Sequence, residues 1–160
     1  MKFDAELYMV KGIFSQDDTD PIVKGFYCID DHGRHFIFDD DFKGYETNPY
    51  TLCRNTGRKT KDGDYLYEND VVMFNVPLSN ETRYGYIDFD EFYQEYVIRV
   101  GIEQRATRRF EDCSNIKITG KNIILSDNDL EWFRNQERAE YEKSKGNVID
   151  NSYCPSKFRR

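Results

Sequence analysis

Between Tyr50 and Phe74 the chain reads YTLCRNTGRKTKDGDYLYENDVVMF, and the pattern leaves room for little besides extended structure. Tyr50, Leu52 and Cys53 precede a run from Arg54 to Asp64 that has no apolar side chain, and Tyr65, Leu66 and Tyr67 follow directly after Asp62-Gly63. An Asp-Gly pair supplies the positive φ angles that a tight hairpin turn needs. Glu68-Asn69-Asp70 is a second polar break, with Asn tolerant of the left-handed region. Val71 to Phe74 is then an apolar run too short for a helix. The stretch predicts two short strands joined by a polar turn, then a third strand, in a small and sharply bent sheet.

The choice of apolar residues supports the same class. The chain holds 12 Tyr and 12 Phe, and Ile and Val outnumber Leu and Ala, so residues that suit a pleated surface dominate over the best helix formers. At 160 residues one domain with a real core is expected. In chain order, Leu7 to Phe14, Ile22 to Ile29 and His35 to Phe38 read as strands, with Asp30-Asp31-His32-Gly33 as a hairpin turn. Asp39 to Pro49 reads as irregular. Tyr84 to Phe89 and Tyr93 to Ile102 follow as strands, with Tyr84, Tyr86 and Asp88 on one face and Gly85, Ile87 and Phe89 on the other. Glu103 to Arg109 is a tip, and Ile116 to Ile118 with Ile123 to Leu125 are closing strand material. Ser126 before Asp127-Asn128-Asp129 is a helix start, where a capping oxygen and carboxylates meet the positive end of the dipole. Leu130 and Phe133 dock that helix, Arg134 to Lys145 projects, and Gly146 stops it.

Residues in the organising stretch also carry a likeness. Thr56-Gly57, Asp62-Gly63 and Tyr67-Glu68-Asn69-Asp70-Val71-Val72 resemble the signature of the YopX family of phage and prophage proteins. Lys24-Gly25-Phe26-Tyr27 and Tyr45-Glu46-Thr47-Asn48-Pro49 are similar to the segments that precede it there, and Ile116 to Leu130 to those that follow. Arg58 stands where the family has a small or hydrophobic residue, and Asn69 replaces its glycine. The resemblance implies a mainly β fold built on a small SH3-like β barrel and carries no catalytic residues with it. The expected division is an N-terminal β lobe over residues 1–48 packed on the barrel, the barrel core over 49–126, a C-terminal helix over 127–146 and a polar tail over 147–160.

The net charge is −7, and nearly all of the excess lies in the first 50 residues. That balance argues against a protein that wraps duplex DNA, whose affinity comes from Lys and Arg displacing counterions. The segment Met1-Lys2-Phe3-Asp4-Ala5-Glu6 has acids where a secretory signal needs an apolar run, and no stretch approaches the length of a membrane span. Cys28, Cys53, Cys113 and Cys154 are far apart with no C-x-x-C. Reduced thiols in a cytoplasmic protein, of the host cell if phage-encoded, are the expectation.

Chemistry finds little purchase. Cys28, His32 and His35 with Asp30 and Asp31 lack the spacing by which two ligands from one element reach one ion. Asp62, Asp64 and Glu68 lack the other oxygens of a calcium loop. Asp88, Asp90, Glu91 and Glu95 have no lysine in the alternation that metal-dependent nucleases use, and no elbow-type serine or activated cysteine is present. No enzyme, cofactor or metal is expected. Two charge patterns remain. Asp17, Asp18, Asp20, Asp30, Asp31, Asp39, Asp40 and Asp41 form an acidic set suited to a basic host or phage protein. Arg54, Arg58, Lys59, Lys61, Arg105, Arg108 and Arg109 occupy two basic turns suited, as an alternative, to a single nucleic-acid strand stacked on Tyr84, Tyr86 or Tyr93. The expected role is that of a non-enzymatic accessory protein acting by protein–protein binding in host takeover. Its sharper form is an acidic antagonist of a nucleic-acid-binding defence or replication factor. A homo-oligomer through the C-terminal helix and tail is a further option.

Overall fold

The computed structural model describes residues 8–11, 22–79, 81–103 and 106–150, with side chains described from 22 to 145. The described strands are Tyr8–Lys11 (β1), Ile22–Ile29 (β2), His35–Phe38 (β3), Gly44–Glu46 (β4), Cys53–Lys59 (β5), Tyr65–Tyr67 (β6), Asp70–Asn75 (β7), Thr82–Asp90 (β8), Glu95–Val100 (β9), Ala106–Arg109 (β10) and Ser114–Asn122 (β11), followed by the helix Asp127–Asp150 (α1). They form two open sheets, in the orders β4-β3-β2-β1-β5-β6 and β10-β9-β8-β7-β11. The protein is mainly β with one C-terminal helix.

The chain changes sheet between Tyr67 and Asp70. β5 and β6 pair antiparallel in the first sheet, and β7 begins the second. The three extended segments therefore exist, but as a hairpin plus a crossing rather than as one sheet. The polar run is also more regular than expected: Arg54 to Lys59 is strand, because Cys53 anchors it in the core and Thr56 Oγ1 donates to Leu66 O across the hairpin. Gly57 takes φ 77° at a register shift between Asn55 and Lys59, a bulge in which Asn55 Oδ1 accepts the Gly57 N–H. The turn is longer than a two-residue primed turn. Thr60 N–H donates to Asp64 O and Gly63 N–H to Thr60 O, with Gly63 at φ 88°.

β7 is buried on both faces. Val71 packs with Tyr86, Ile123 and Phe133 beneath α1, whereas Val72 and Phe74 join Leu66, Ile87, Ile98 and Phe110 on the other side. Leu66 comes from the first sheet, so the two sheets share this core. Gly85 is required where β8 runs close beside β9: a Cβ there would lie 2.3 Å from Ile98 Cγ2 and 2.8 Å from Arg99 O. A third cluster, Cys53, Tyr67 and Leu125, seals the seam between the sheets.

Other expectations change as well. β10 and β11 are the edges of the five-stranded sheet and no ladder joins them among the described residues, so no closed hydrogen-bonded barrel is formed. Phe110, in the single 3-10 turn between them, packs into the core instead. Tyr84 and Tyr86 do not present an open aromatic face, since Trp132 and Phe133 of α1 meet them edge to face at 5.1 and 5.7 Å. The helix is held well past Phe133: Glu137 accepts the Ile102 and Glu103 N–H groups, and Glu140 pairs with Arg83. Its start is as expected, with Ser126 Oγ accepting the Asp129 N–H, but Gly146 does not stop it. One glycine costs about 1 kcal/mol in a helix interior, and α1 runs on to Asp150.

Candidate functional site

The acidic set does not form a line. Asp17, Asp18 and Asp20 lie outside the described residues, and the others fall into two turns at opposite ends of β3. In the first, Asp30 Oδ1 accepts the His32 and Arg34 N–H groups and Oδ2 takes the Arg34 guanidinium at 2.7 Å. Burial works against the Asp30 carboxylate, yet these bonds together hold it below the usual range. In the second, Asp39 Oδ1 accepts the Asp41 and Lys43 N–H groups. Asp30 and Asp39 are thus turn formers, and Asp31, Asp40 and Asp41 are the exposed charges. At about 3.3 Å per residue, β3 separates the two turns by on the order of 13 Å, beyond the screening length of about 8–10 Å at physiological salt. They act as two separate acidic points.

The basic turns do come together, and their charge is largely answered. Arg58 lies over the Phe110 ring at 4.7 Å and Lys59 over Tyr65 at 4.5 Å. Arg109 bonds Glu95 Oε1 at 2.5 Å and Oε2 at 3.2 Å, meets Glu111 at 2.5 Å and stacks on Tyr93. The Arg109 guanidinium, with help from that of Arg58, keeps the Glu95 carboxyl below its ordinary range. Arg58, Lys59, Glu95, Phe110 and Glu111 line one shallow cavity of about 350 Å³. Arg54, Lys61 and Arg108 are exposed at its surroundings or beyond, and Arg105 lies outside the described residues. Tyr93 remains accessible, unlike Tyr84 and Tyr86. β10 replaces the expected loop tip, with Arg108 opposite Ile98 and Arg109 opposite Val97 on β9.

Sequence reasoning missed the polar junction between the sheets. Asp70 Oδ2 accepts the Tyr67 N–H at 2.9 Å, and Oδ1 accepts Asn122 Nδ2 at 3.0 Å. Asn122 Nδ2 also reaches Glu68 O, and its Oδ1 accepts the Ile124 and Leu125 N–H groups. Asn69, at φ 69°, donates its N–H to Ile87 O and accepts the Ile123 N–H. Burial pushes the Asp70 carboxyl up to about 6, and these bonds with the nearby Lys24 ammonium offset only part of it. The Cys53 thiol beside them is pushed up to about 12 by burial. Asp70, Lys24, Tyr65, Tyr67, Lys121 and Asp129 border a cleft of about 450 Å³ over this junction. The signal was present in Glu68-Asn69-Asp70, read only as a turn. Asn122, which completes the junction, is remote in sequence and had none.

Other expected sites resolve plainly. Tyr27 Oη and His35 Nδ1 are bonded to each other, and among the described residues no group of three or more His, Cys, Asp or Glu side chains is arranged to hold a metal ion. Cys28 is exposed near the end of β2. Cys53 and Cys113 are free thiols, and Cys154 lies outside the described residues. No described helix is long and apolar enough to cross a membrane.

Comparison with known proteins gives one partial likeness. The aminomethyltransferase of Staphylococcus saprophyticus subsp. saprophyticus is 30% identical over 86 residues, covering 51% of this chain and 23% of that enzyme. No protein-family profile matches the chain, and no solved structure matches it.

Proposed function

We propose that this chain is a non-enzymatic phage or prophage accessory protein of the YopX kind that acts in the cytoplasm by binding a basic protein. The carrying observation is the arrangement of the first sheet: Asp30 and Asp39 are used to build the turns, while Asp31, Asp40 and Asp41 face solvent unshared. The five-stranded unit is best read as a partly closed SH3-like barrel. In support, four strands run as a meander, one 3-10 turn follows, and the last strand returns to the first. A nucleic-acid-binding defence or replication factor of the host is the kind of basic partner such a surface suits. Aminomethyl transfer is not carried over, since the likeness spans only 23% of the enzyme that has that name.

The test is binding to such a factor across a salt series. Asp31→Asn, Asp40→Asn and Asp41→Asn together are expected to weaken the complex and flatten its salt dependence, because exposed charges act within a Debye length of about 10 Å. A complex unchanged by both salt and the triple substitution would refute the acidic form of the reading.

A second reading rests on Arg58 and Lys59 sharing a cavity with Glu95, whose partner Arg109 lies over Tyr93, an arrangement that offers a single nucleic-acid strand cations and one stacking surface. Glu95 and Glu111 in the same cavity weigh against it. A labelled oligonucleotide retained at low salt by the native chain and released by Arg58→Ala would favour this reading over the first.

A further inference from the structure

The turn joining β8 and β9 holds apolar rings away from the core. Phe92 is 88% exposed, Tyr93 47% and Phe89 39%. Phe92 meets Tyr93 edge to face at 5.2 Å, and Arg109 covers the Tyr93 ring at 5.3 Å. The turn is braced on several sides. Asp90 Oδ1 accepts the Tyr93 N–H at 2.9 Å, Gln94 Nε2 donates to Glu91 O at 2.5 Å, and Gln94 takes φ 53° to close the turn. Arg99 ties the flanking strands by bonding Asp88 at 3.0 Å and Asp90 at 2.9 Å. None of these interactions shelters Phe92 from water. Together they fix the backbone from which its ring projects.

A solvent-facing aromatic pair on a braced turn is the form that a binding anchor takes, because little backbone freedom remains to be lost on docking. The charge around it identifies the other side. Asp88, Asp90, Glu91 and Glu95 flank the rings in sequence, with no cation among residues 88–95. Arg99 answers Asp88 and Asp90, and Arg109 answers Glu95. Glu91, next to Phe92, stays exposed. Glu91, the carboxylate left unanswered beside Phe92, repels a phosphate backbone, so that ring is poorly suited to stacking a nucleobase. It complements lysine or arginine at the mouth of an apolar pocket.

We propose that Phe92 and Tyr93 are the anchor by which this chain docks into an apolar pocket with a basic rim on a partner protein. This rests on the protein-binding reading and adds a contact that the acidic turns do not provide.

The photoreactive residue p-benzoylphenylalanine is placed at position 92, or as a control at the equally open position 78, in the full chain expressed in the bacterium that carries the gene. After irradiation, position 92 is expected to give a discrete protein adduct that position 78 does not. The adducted protein, purified, should bind the native chain and bind Phe92→Ser about tenfold or more weakly, with Glu91→Lys also weakened. Unchanged Trp132 fluorescence shows that Phe92→Ser is folded, as its exposed ring requires. No adduct at 92, the same adducts from 92 and 78, or an adduct between two copies of the chain overturns the proposal. If the partner resists Phe92→Ser but is lost with the Asp31, Asp40 and Asp41 triple substitution, the anchor falls and the acidic reading stands. An adduct to nucleic acid overturns both.

Discussion

Asp70 is the residue whose chemistry is least expected from its neighbours in sequence. Its carboxyl is raised by burial to about 6 from an ordinary value of 3.8, so the folded protein binds a proton there more readily than the unfolded chain. The stability this supplies is fully present below about pH 4 and is lost as pH rises through about 6. The other shifted carboxyls, Asp30, Asp90 and Glu95, are lowered and work in the opposite sense. The contribution of Asp70 therefore appears in a difference: native stability minus that of Asp70→Asn, from urea denaturation, should fall between about pH 4 and 6 and be level above about pH 7. A flat difference across that window would mean that the carboxyl is not buried as described. Gly85 gives a second prediction at this scale. Alanine there drives a methyl into Ile98 and the Arg99 backbone, and overpacking of this kind costs about 1–3 kcal/mol. A lower midpoint at unchanged slope in the same denaturation experiment is the expected outcome.

Among the elements, α1 turns one face of the second sheet into interior. Phe133 is buried against Val71, Tyr86 and Ile123, and its truncation to alanine should cost about 3–5 kcal/mol, read as a lower urea midpoint together with altered Trp132 emission. The docking of its first turns was legible, because Ser126 with Asp127 and Asp129 marks a capped start and Leu130 and Phe133 share a stripe. Its later contacts were not, since Glu137 and Glu140 bind through carboxylates that resemble ordinary solvent-facing charge in sequence. The same reason hid β5. Alternation predicts a strand where apolar residues mark a buried face, and Arg54 to Lys59 has none, its pairing being fixed by Thr56 and by β6 on one side and β1 on the other. The candidate sites were legible as residue types but not as surfaces. Asp30 and Asp31 are adjacent, yet only coordinates show that one shapes the turn and the other faces water. Tyr93 reads as an ordinary strand aromatic and Phe92 falls between two strands, and nothing in the pattern says that the turn between β8 and β9 exposes both.

At the scale of the whole molecule, the two sheets meet through Leu66 in the shared core and through Asn122 at the polar junction. Asn122→Ala would leave the Glu68 carbonyl, the Asp70 carboxylate and the Ile124 and Leu125 N–H groups without their partner. Each unsatisfied buried group costs about 1–3 kcal/mol. Trp132 is the single tryptophan and reports the second sheet through Tyr84, whereas far-ultraviolet circular dichroism reports both sheets. In the native protein the two signals should change together on unfolding, and in Asn122→Ala they should separate, with the first sheet melting earlier. Coincident transitions in the variant would show that the remaining contacts, Leu66 in the shared core and Cys53 and Tyr67 with Leu125, couple the halves without Asn122. The passage from Tyr67 to Asp70 has a further consequence. Only Glu68 and Asn69 bridge the two sheets, and Val71 and Val72 must face opposite cores on arrival. One added or deleted residue in that bridge would exchange the two faces of β7, sending Val72 and Phe74 toward the helix and Val71 toward Leu66. The bridge is a ruler of fixed length. Descendants of this chain inherit the span between Tyr67 and Asp70 at unaltered length or lose the fold.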